Sequence, residues 1–311
     1  MGKQKQKSQN PAKEQGADAN ERLAMRVSLN SMLVNILLSV LKLAAGLAAH
    51  SGAMVSDAVH SASDVFSTVV VMIGIKISGK ESDEDHQYGH ERFECVAAIL
   101  LAVVLCLTGL GIGYGGIKRI VAGDIIAAPG LLALAAAVLS IIVKEIMYWY
   151  TRNAAKKINS GALMADAWHH RSDALSSVGS MAGILGARMG YPQCDSIASV
   201  VICVFIVKAA YDIFKDSVDK MTDKACTREQ VEAIRQVILG EDGVLGIDKL
   251  QTRLFGSRVY VDIEICADSA KTLEEAHGIA QRVHDAVETQ FSDVKHCMVH
   301  VNPEETNSGD R

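Results

Sequence analysis

Two stretches of the chain repeat one frame: Ser56-Asp57-Ala58-Val59-His60-Ser61-Ala62-Ser63-Asp64 and Ala165-Asp166-Ala167-Trp168-His169-His170-Arg171-Ser172-Asp173. Both read D-A-x-H-x-x-S-D. In a helix His60 and Asp64 lie one turn apart on one face, as do His169 and Asp173. Each frame lies in a longer stretch of apolar and small residues, about Ala53 to Ser78 and about Gly161 to Met189. Two such faces brought together offer two imidazoles and two carboxylates.

Outward from these frames, four more apolar stretches are long enough to cross a bilayer at about 1.5 Å per residue. They run from about Val27 to Ala49, Cys95 to Ile117, Pro129 to Tyr150 and Ile197 to Phe214, and His50-Ser51-Gly52 makes a short turn between the first two helices. The fifth segment is the least hydropathic, because Asp166, His169, His170, Arg171 and Asp173 sit inside it. Ionisable groups within a span are expected to face a polar interior and to be functional. Lys3, Lys5, Lys7, Lys13, Arg22 and Arg26 in the tail, with Lys80, Arg92, Arg152, Lys156 and Lys157 in two loops, oppose only Lys118, Arg119 and Arg188 on the other side. The positive-inside rule then places both termini in the cytoplasm.

Composition agrees with a chain divided between bilayer and water. The 311 residues are 49% hydrophobic and 22% charged, and the mean hydropathy is +0.18. A net charge of -5 with no arginine-rich stretch excludes a basic field for nucleic acid. Seven scattered cysteines without a CxxC pair indicate neither a disulfide framework nor a thiolate zinc cage. After Lys220 the pattern becomes that of a small aqueous domain. A helix from Thr227 to Leu239 behind a capping box, strands Leu250–Phe255 and Arg258–Cys266, a helix Ala270–Gln290 and a strand Lys295–Val301 are expected. The fold class is therefore a membrane all-α six-helix bundle followed by an α+β domain in the order αββαβ, an open-faced sandwich. The expected divisions are a disordered tail over 1–24, the bundle over 25–217, the α+β domain over 222–303 and a second disordered tail over 304–311.

The doubled motif has a chemical reading. Two carboxylates and two neutral imidazoles cancel the charge of a divalent ion, which lowers the cost of holding it within a bilayer. Four mixed N/O ligands suit tetrahedral Zn²⁺. Protons compete for the same groups, which is the physical basis of an antiporter. Polar residues that merely join helices are the alternative for any single member of the set; the matched frame argues for metal. Asp57 and Asp166, one turn earlier, are candidates for an outer shell or for helix-end hydrogen bonds, and His170 points about 100° away from His169. Helices two and five run antiparallel, and on these limits the motifs are roughly 8 Å out of level.

With these motifs the sequence resembles the cation diffusion facilitators, over nearly everything from Ala24 to Pro303. The resemblance implies a metallochaperone-like cytoplasmic domain, a transport site of His60, Asp64, His169 and Asp173, proton exchange, export from the cytoplasm and a homodimer. Members with His at the first of these positions resemble zinc transporters that often accept cadmium. Asp83, His86 and His90 supply three N/O ligands in a loop, or form part of a solvated acidic loop, and they match a family pattern that binds metal there. His90-Glu91 does not begin a zincin motif, since Glu94 stands where the second His is needed, so no enzyme is expected. The family's regulatory zinc cluster maps to Asp248, Asp262, His277 and His300, with Asn302 beside it. Oxygen ligands at Asp248 and Asp262, where His is common, weaken zinc preference. His284 and His296 read as solvated surface residues. Arg92 and Asp219 resemble a pair that couples the two parts.

The expected function is proton-coupled efflux of Zn²⁺ or Cd²⁺ by a multi-pass protein of a bacterial cell membrane. Metal ions, protons, lipid and a second copy are the partners, and no organic cofactor is expected. The same transporter tuned to Fe²⁺, Mn²⁺ or Co²⁺ is one rival. A membrane-anchored metal sensor or scaffold is the other, although a sensor needs ligands only in its aqueous domain.

Overall fold

The computed structural model describes residues 11–48, 52–122, 131–188 and 194–304. Six helices come first: α1 Pro11–Ala48, α2 Gly52–Ser78, α3 Arg92–Ala122, α4 Leu131–Ile158, α5 Gly161–Arg188 and α6 Cys194–Met221. The second part follows as α7 Arg228–Leu239, β1 Gly246–Phe255, β2 Arg258–Asp268, α8 Leu273–Gln290 and β3 Val294–Glu304. Ala17–Val218 forms one compact unit, and the chain from Asp219 onward belongs to a second.

Several helices exceed their expected limits, because periodicity locates the apolar part of a helix and not its polar ends. α1 begins at Pro11, inside the stretch expected to be a disordered tail. Proline is suited to a first helical position, and Ala, Lys, Glu and Gln behind it favour helix. α4 continues two turns past Tyr150, and α6 runs on through Asp219. His50 and Ser51 of the expected turn and the expected start of the fourth helix at Pro129 lie outside the described residues, while Gly52 already opens α2.

The helical unit is apolar outside and polar within. Phe66, Leu107, Tyr114, Val204 and Phe205 are all more than 60% exposed, whereas Lys144 is 2% exposed and Asp166 and His170 are fully buried. Such an outside is disfavoured in water and normal in lipid. Among the described residues two stretches, Ala19–Ala44 and Arg92–Ala122, are apolar and long enough to cross a membrane by composition alone. In α5 the ionisable residues Asp166, His169, His170 and Asp173 are buried, as expected of charged groups inside a span.

Small residues bring the helices close. The core includes Ala97, Ala98 and Ala102 of α3, Ala154 and Ala155 of α4, and Ala162 and Ala165 of α5. Gly109 and Gly113 of α3 face Ile206 and Cys203 of α6 so closely that an added Cβ would lie 2.8 Å from Ile206 Cγ2 or 2.5 Å from Cys203 Sγ. This is the small-xxx-small contact typical of helices in lipid. α5 packs along α4 and touches α3 and α2. Ser31 of α1 lies 3.3 Å from Thr151 of α4, and Asn30 donates to the Tyr150 hydroxyl at 3.0 Å.

A two-residue turn sets α5 against α4. Asn159 adopts φ 53°, a left-handed conformation that asparagine tolerates and that ends α4. The Ser160 hydroxyl then accepts from the Leu163 amide at 3.2 Å and starts α5. The register of the two helices follows from this turn.

The second unit is the expected αββαβ sandwich. Its sheet has the order β1-β2-β3, with β1 and β2 antiparallel and β2 and β3 parallel. Val261, Ile263 and Ile265 of β2 pack on Ile234 and Ile238 of α7 and on Ile279, Val283 and Val287 of α8. The alternate residues of β2 turn to the open face. Gly256, at φ 63°, makes the turn between β1 and β2. Thr227 caps α7 by accepting from the Gln230 amide, but the expected capping box is incomplete, since the Gln230 side chain accepts from the Thr227 hydroxyl; the complete box is that of Thr272 with Glu275 before α8.

Candidate metal centre

α2 and α5 meet through the residues of the repeated frame. Asp64 Oδ1 of α2 lies 3.4 Å from His169 Nε2 of α5. Donor atoms of Asp64, His169 and Asp173 all fall within 4.8 Å of one another, and all three residues are buried. Three N/O donors at this spacing can close on a single ion at bond lengths of about 2.0–2.2 Å with small side-chain shifts. The side chains of Asp57 and His60 lie outside the described residues.

The frames are closer to level than their sequence limits imply. With α2 starting at Gly52 and α5 ending at Arg188, the offset falls to roughly 4.5 Å, which a modest tilt absorbs. Thr68, one turn below Asp64, donates to Asp166 Oδ1 at 3.3 Å and ties the helices together. Asp166 also stands 3.6 Å from His170 Nε2, both residues being fully buried. Asp166 and His170 thus form their own polar contact beside the donor group.

A fourth residue enters from α4. Lys144 Nζ donates to Asp64 Oδ2 at 2.6 Å and to Asp173 Oδ2 at 2.9 Å. Its height follows from the Asn159-Ser160 turn: Lys144 lies fourteen residues before the end of α4 and Asp173 twelve after the start of α5. Those spans rise about 21 and 18 Å, so the two side chains stand nearly opposite. Arg171 reinforces the register, with its guanidinium 4.3 Å from the Tyr148 ring and 3.7 Å from Glu145 Oε1. The sequence reading passed over Lys144. Its available signal was that of any lone cation in an apolar helix, here the run from Leu131 to Met147.

The second expected group also assembles. Asp83 Oδ1 and Oδ2 lie 3.4 Å from His86 Nδ1 and His90 Nε2 respectively. The loop is built locally: the His86 amide donates to Asp83 Oδ1 at 2.8 Å, the Gly89 amide to the His86 carbonyl at 3.0 Å, and Gly89 takes φ 97°. A hydrogen bond from Lys80, joined by the His86 amide, holds the Asp83 carboxyl well below its ordinary range. His90 is buried and stacks on Phe93, while His86 is exposed.

Residues 28–222 match the model for the cation efflux transmembrane domain, and residues 226–304 that for the cytoplasmic domain of cation efflux proteins. The chain belongs to the cation diffusion facilitator family. It is a membrane metal-efflux transporter. It is 36% identical over 272 residues to an uncharacterized transporter of Methanocaldococcus jannaschii, covering 88% of this chain and 95% of that one. It is 32% identical over 294 residues to the manganese efflux system protein MneP of Bacillus subtilis, covering 92% and 98%. A cadmium form of a MamM CTD variant matches at 28% identity with a TM-score of 0.24, over 25% of this chain and 96% of that one.

In the cytoplasmic domain of this facilitator the four expected ligands do not form one group. Asp262 and His300 lie on the open face of the sheet, at register positions opposite Met298 and Glu264 respectively. His277 belongs to α8, which covers the other face, and lines a cavity of about 380 Å³ with Asn302, Val299 and Val301. Among the described residues no third metal-ligand group occurs. Asp248 sits at a register shift between Ile247 and Lys249. Its carboxylate accepts from Cys266 Sγ at 2.9 Å and from Asn302 Nδ2 at 2.7 Å. His284 lies 2.7 Å from the Cys297 carbonyl through Nδ1, so it is tied to the sheet rather than freely solvated. Arg92 opens α3, and Asp219, near the end of α6, pairs with Lys224 at 2.7 Å. Six described cysteines are unbridged.

Proposed function

We propose that this facilitator exports Zn²⁺ from the cytoplasm in exchange for protons, through a site formed by Asp64, His169 and Asp173 with His60 as the fourth ligand. The observation that carries the reading is the buried group of three donors contributed by two helices that repeat one frame. A mixed imidazole and carboxylate set favours a borderline ion such as Zn²⁺ or Cd²⁺ over hard ions, which take oxygen ligands alone. Its ligands bind the ion only when deprotonated, so proton uptake promotes release.

Alternating access then moves the site between the two sides of the membrane, with both termini in the cytoplasm. Asp83, His86 and His90 form a secondary site on the loop between α2 and α3. The cytoplasmic domain joins two copies of the chain, and metal bound on the open face of its sheet, where Asp262 and His300 lie, draws them together and biases the membrane part. Arg92 and Asp219 couple the parts, and Asp57 and Asp166 support the ligands. A second reading, Mn²⁺ export, is favoured by the similarity to MneP over nearly the whole chain.

Flux into sealed liposomes tests both readings, with Zn²⁺, Cd²⁺, Mn²⁺ and Fe²⁺ compared with and without a pH gradient. Zn²⁺ flux that rises with the gradient and disappears in Asp173→Ala is expected. Flux of Mn²⁺ alone would move the assignment to the second reading. Intact zinc flux in Asp173→Ala would remove the site assignment, and metal binding without flux of any ion would indicate a sensor or scaffold.

A further inference from the structure

Lys144 is the largest fully buried side chain among the described residues. A lysine inside an apolar bundle is costly unless its charge is met. Here two carboxylates meet it, at 2.6 and 2.9 Å, and they come from two different helices. Those carboxylates belong to Asp64 and Asp173, which with His169 form the donor group.

A divalent ion bonded to Asp64 and Asp173 needs oxygens of the carboxyl groups that already hold the ammonium. Two carboxylates neutralise one divalent ion; with Lys144 still between them the group carries a surplus positive charge in a buried site. Ion and ammonium therefore repel each other strongly there, because little water screens them. The lysine stem is flexible, with four methylenes, so the ammonium can withdraw without a change in the helix backbone.

We propose that Lys144 is a tethered counter-cation that competes with the transported ion for Asp64 and Asp173. Entry of the ion expels the ammonium from between the carboxylates, and its return helps to expel the ion. Lys144 thereby lowers the affinity of the site and speeds release. The proposal rests on the reading of Asp64, His169 and Asp173 as transport ligands. It differs in sign from a purely structural role: a clip joining α4 to α2 and α5 would, on removal, loosen the site and weaken metal binding.

The test uses the full chain in lipid nanodiscs, with Zn²⁺ titrated by calorimetry, and the same variants in liposomes for flux. Lys144→Met should bind Zn²⁺ at least tenfold more tightly than the unmodified chain, with a lower KM and a lower maximal flux. Lys144→Gln keeps an amide able to donate hydrogen bonds to the carboxylates but carries no charge. It should tighten binding in the same direction, and it serves if the methionine variant does not fold. Affinity equal to or weaker than that of the unmodified chain in the folded variants overturns the proposal. Asp173→Asn separates the two levels. If it leaves binding intact, the ligand assignment falls and the lysine proposal with it; if it abolishes binding while the Lys144 variants bind no more tightly, only the lysine proposal falls.

Discussion

Replacement of Asp248 by asparagine should make Cys266 reactive. The Cys266 thiol donates to Asp248 Oδ1 at 2.9 Å, and that hydrogen bond, with burial and the carboxylate's charge behind it, pushes the thiol up from 9.0 to about 11. Only the thiolate attacks electrophiles. At pH 8 a thiol of the ordinary value is about one tenth ionised, and one near 11 about one thousandth. The carboxylate supplies most but not all of the rise, so Asp248→Asn should accelerate maleimide labelling of Cys266 by about ten- to a hundredfold. The rate is measured at pH 8 on the full chain, with each cysteine resolved by peptide mass spectrometry. Cys297, 2% exposed, should stay unreactive and so report that the domain remains folded. The sign also fixes the pH dependence: raising the pH toward 11 should bring the unmodified chain up to the variant, since ionisation of Cys266 is delayed rather than blocked. A labelling rate within twofold of the unmodified chain at pH 8 would refute the assigned hydrogen bond.

Other expectations follow from packing and caps. Gly113→Ala places a methyl 2.8 Å from Cys203 Cβ, where no rotation of the sulfur relieves it, and should cost about 1–3 kcal/mol in thermal unfolding in detergent. Gly111→Ala, with nothing within 4 Å of the new atom, should instead be neutral or stabilise by up to about 1 kcal/mol through helix propensity. Thr272→Ala removes the capping box of α8; a loss of about 1 kcal/mol is expected, read as faster hydrogen exchange at the Glu275 amide. Hydrogen bonds from Thr272 hold Glu275 below its ordinary 4.5. Protection of the Thr272 amide should therefore persist as pH falls through that value and be lost only below it.

The parts of the site legible in the sequence were those with a local period. His169 and Asp173 are one turn apart whatever surrounds them, and the alternation of β2 places Asp262 away from the sheet's covered face. Lys144 was not legible, because its partners lie 80 and 29 residues away and nothing in its own helix shows which way it faces. The level of α2 against α5 was misjudged for a related reason: an offset of a few ångströms depends on helix ends, which hydropathy locates poorly. His277 was grouped with strand residues by resemblance alone. Its place on α8, against the face opposite Asp262 and His300, follows from the order of the elements in three dimensions. α1 was shortened because polar composition was read as disorder, although its residues favour helix once Pro11 begins it.

The repeated frame is duplicated in sequence, and within α5 its shared and differing positions have different neighbours. Positions shared by the two frames in α5 look toward α2 or the donor group: Asp166 accepts from Thr68, His169 faces Asp64, and Asp173 shares Lys144 with Asp64. Two positions where the frames differ look elsewhere. Trp168 and Arg171 stand where α2 has Val59 and Ala62, and both meet Tyr148 of α4, with ring centroids 5.7 Å apart for the tryptophan. These larger residues hold α5 against α4, and α4 is the helix that delivers Lys144. With Asp64, His169 and Asp173 as the proposed ligands, shared positions carry the ion chemistry, and Trp168 and Arg171 hold α5 against the helix that brings Lys144 to it. On this account Arg171 acts on the ion only through the register of α4, so its loss should displace Lys144 before it disturbs Asp64 or His169.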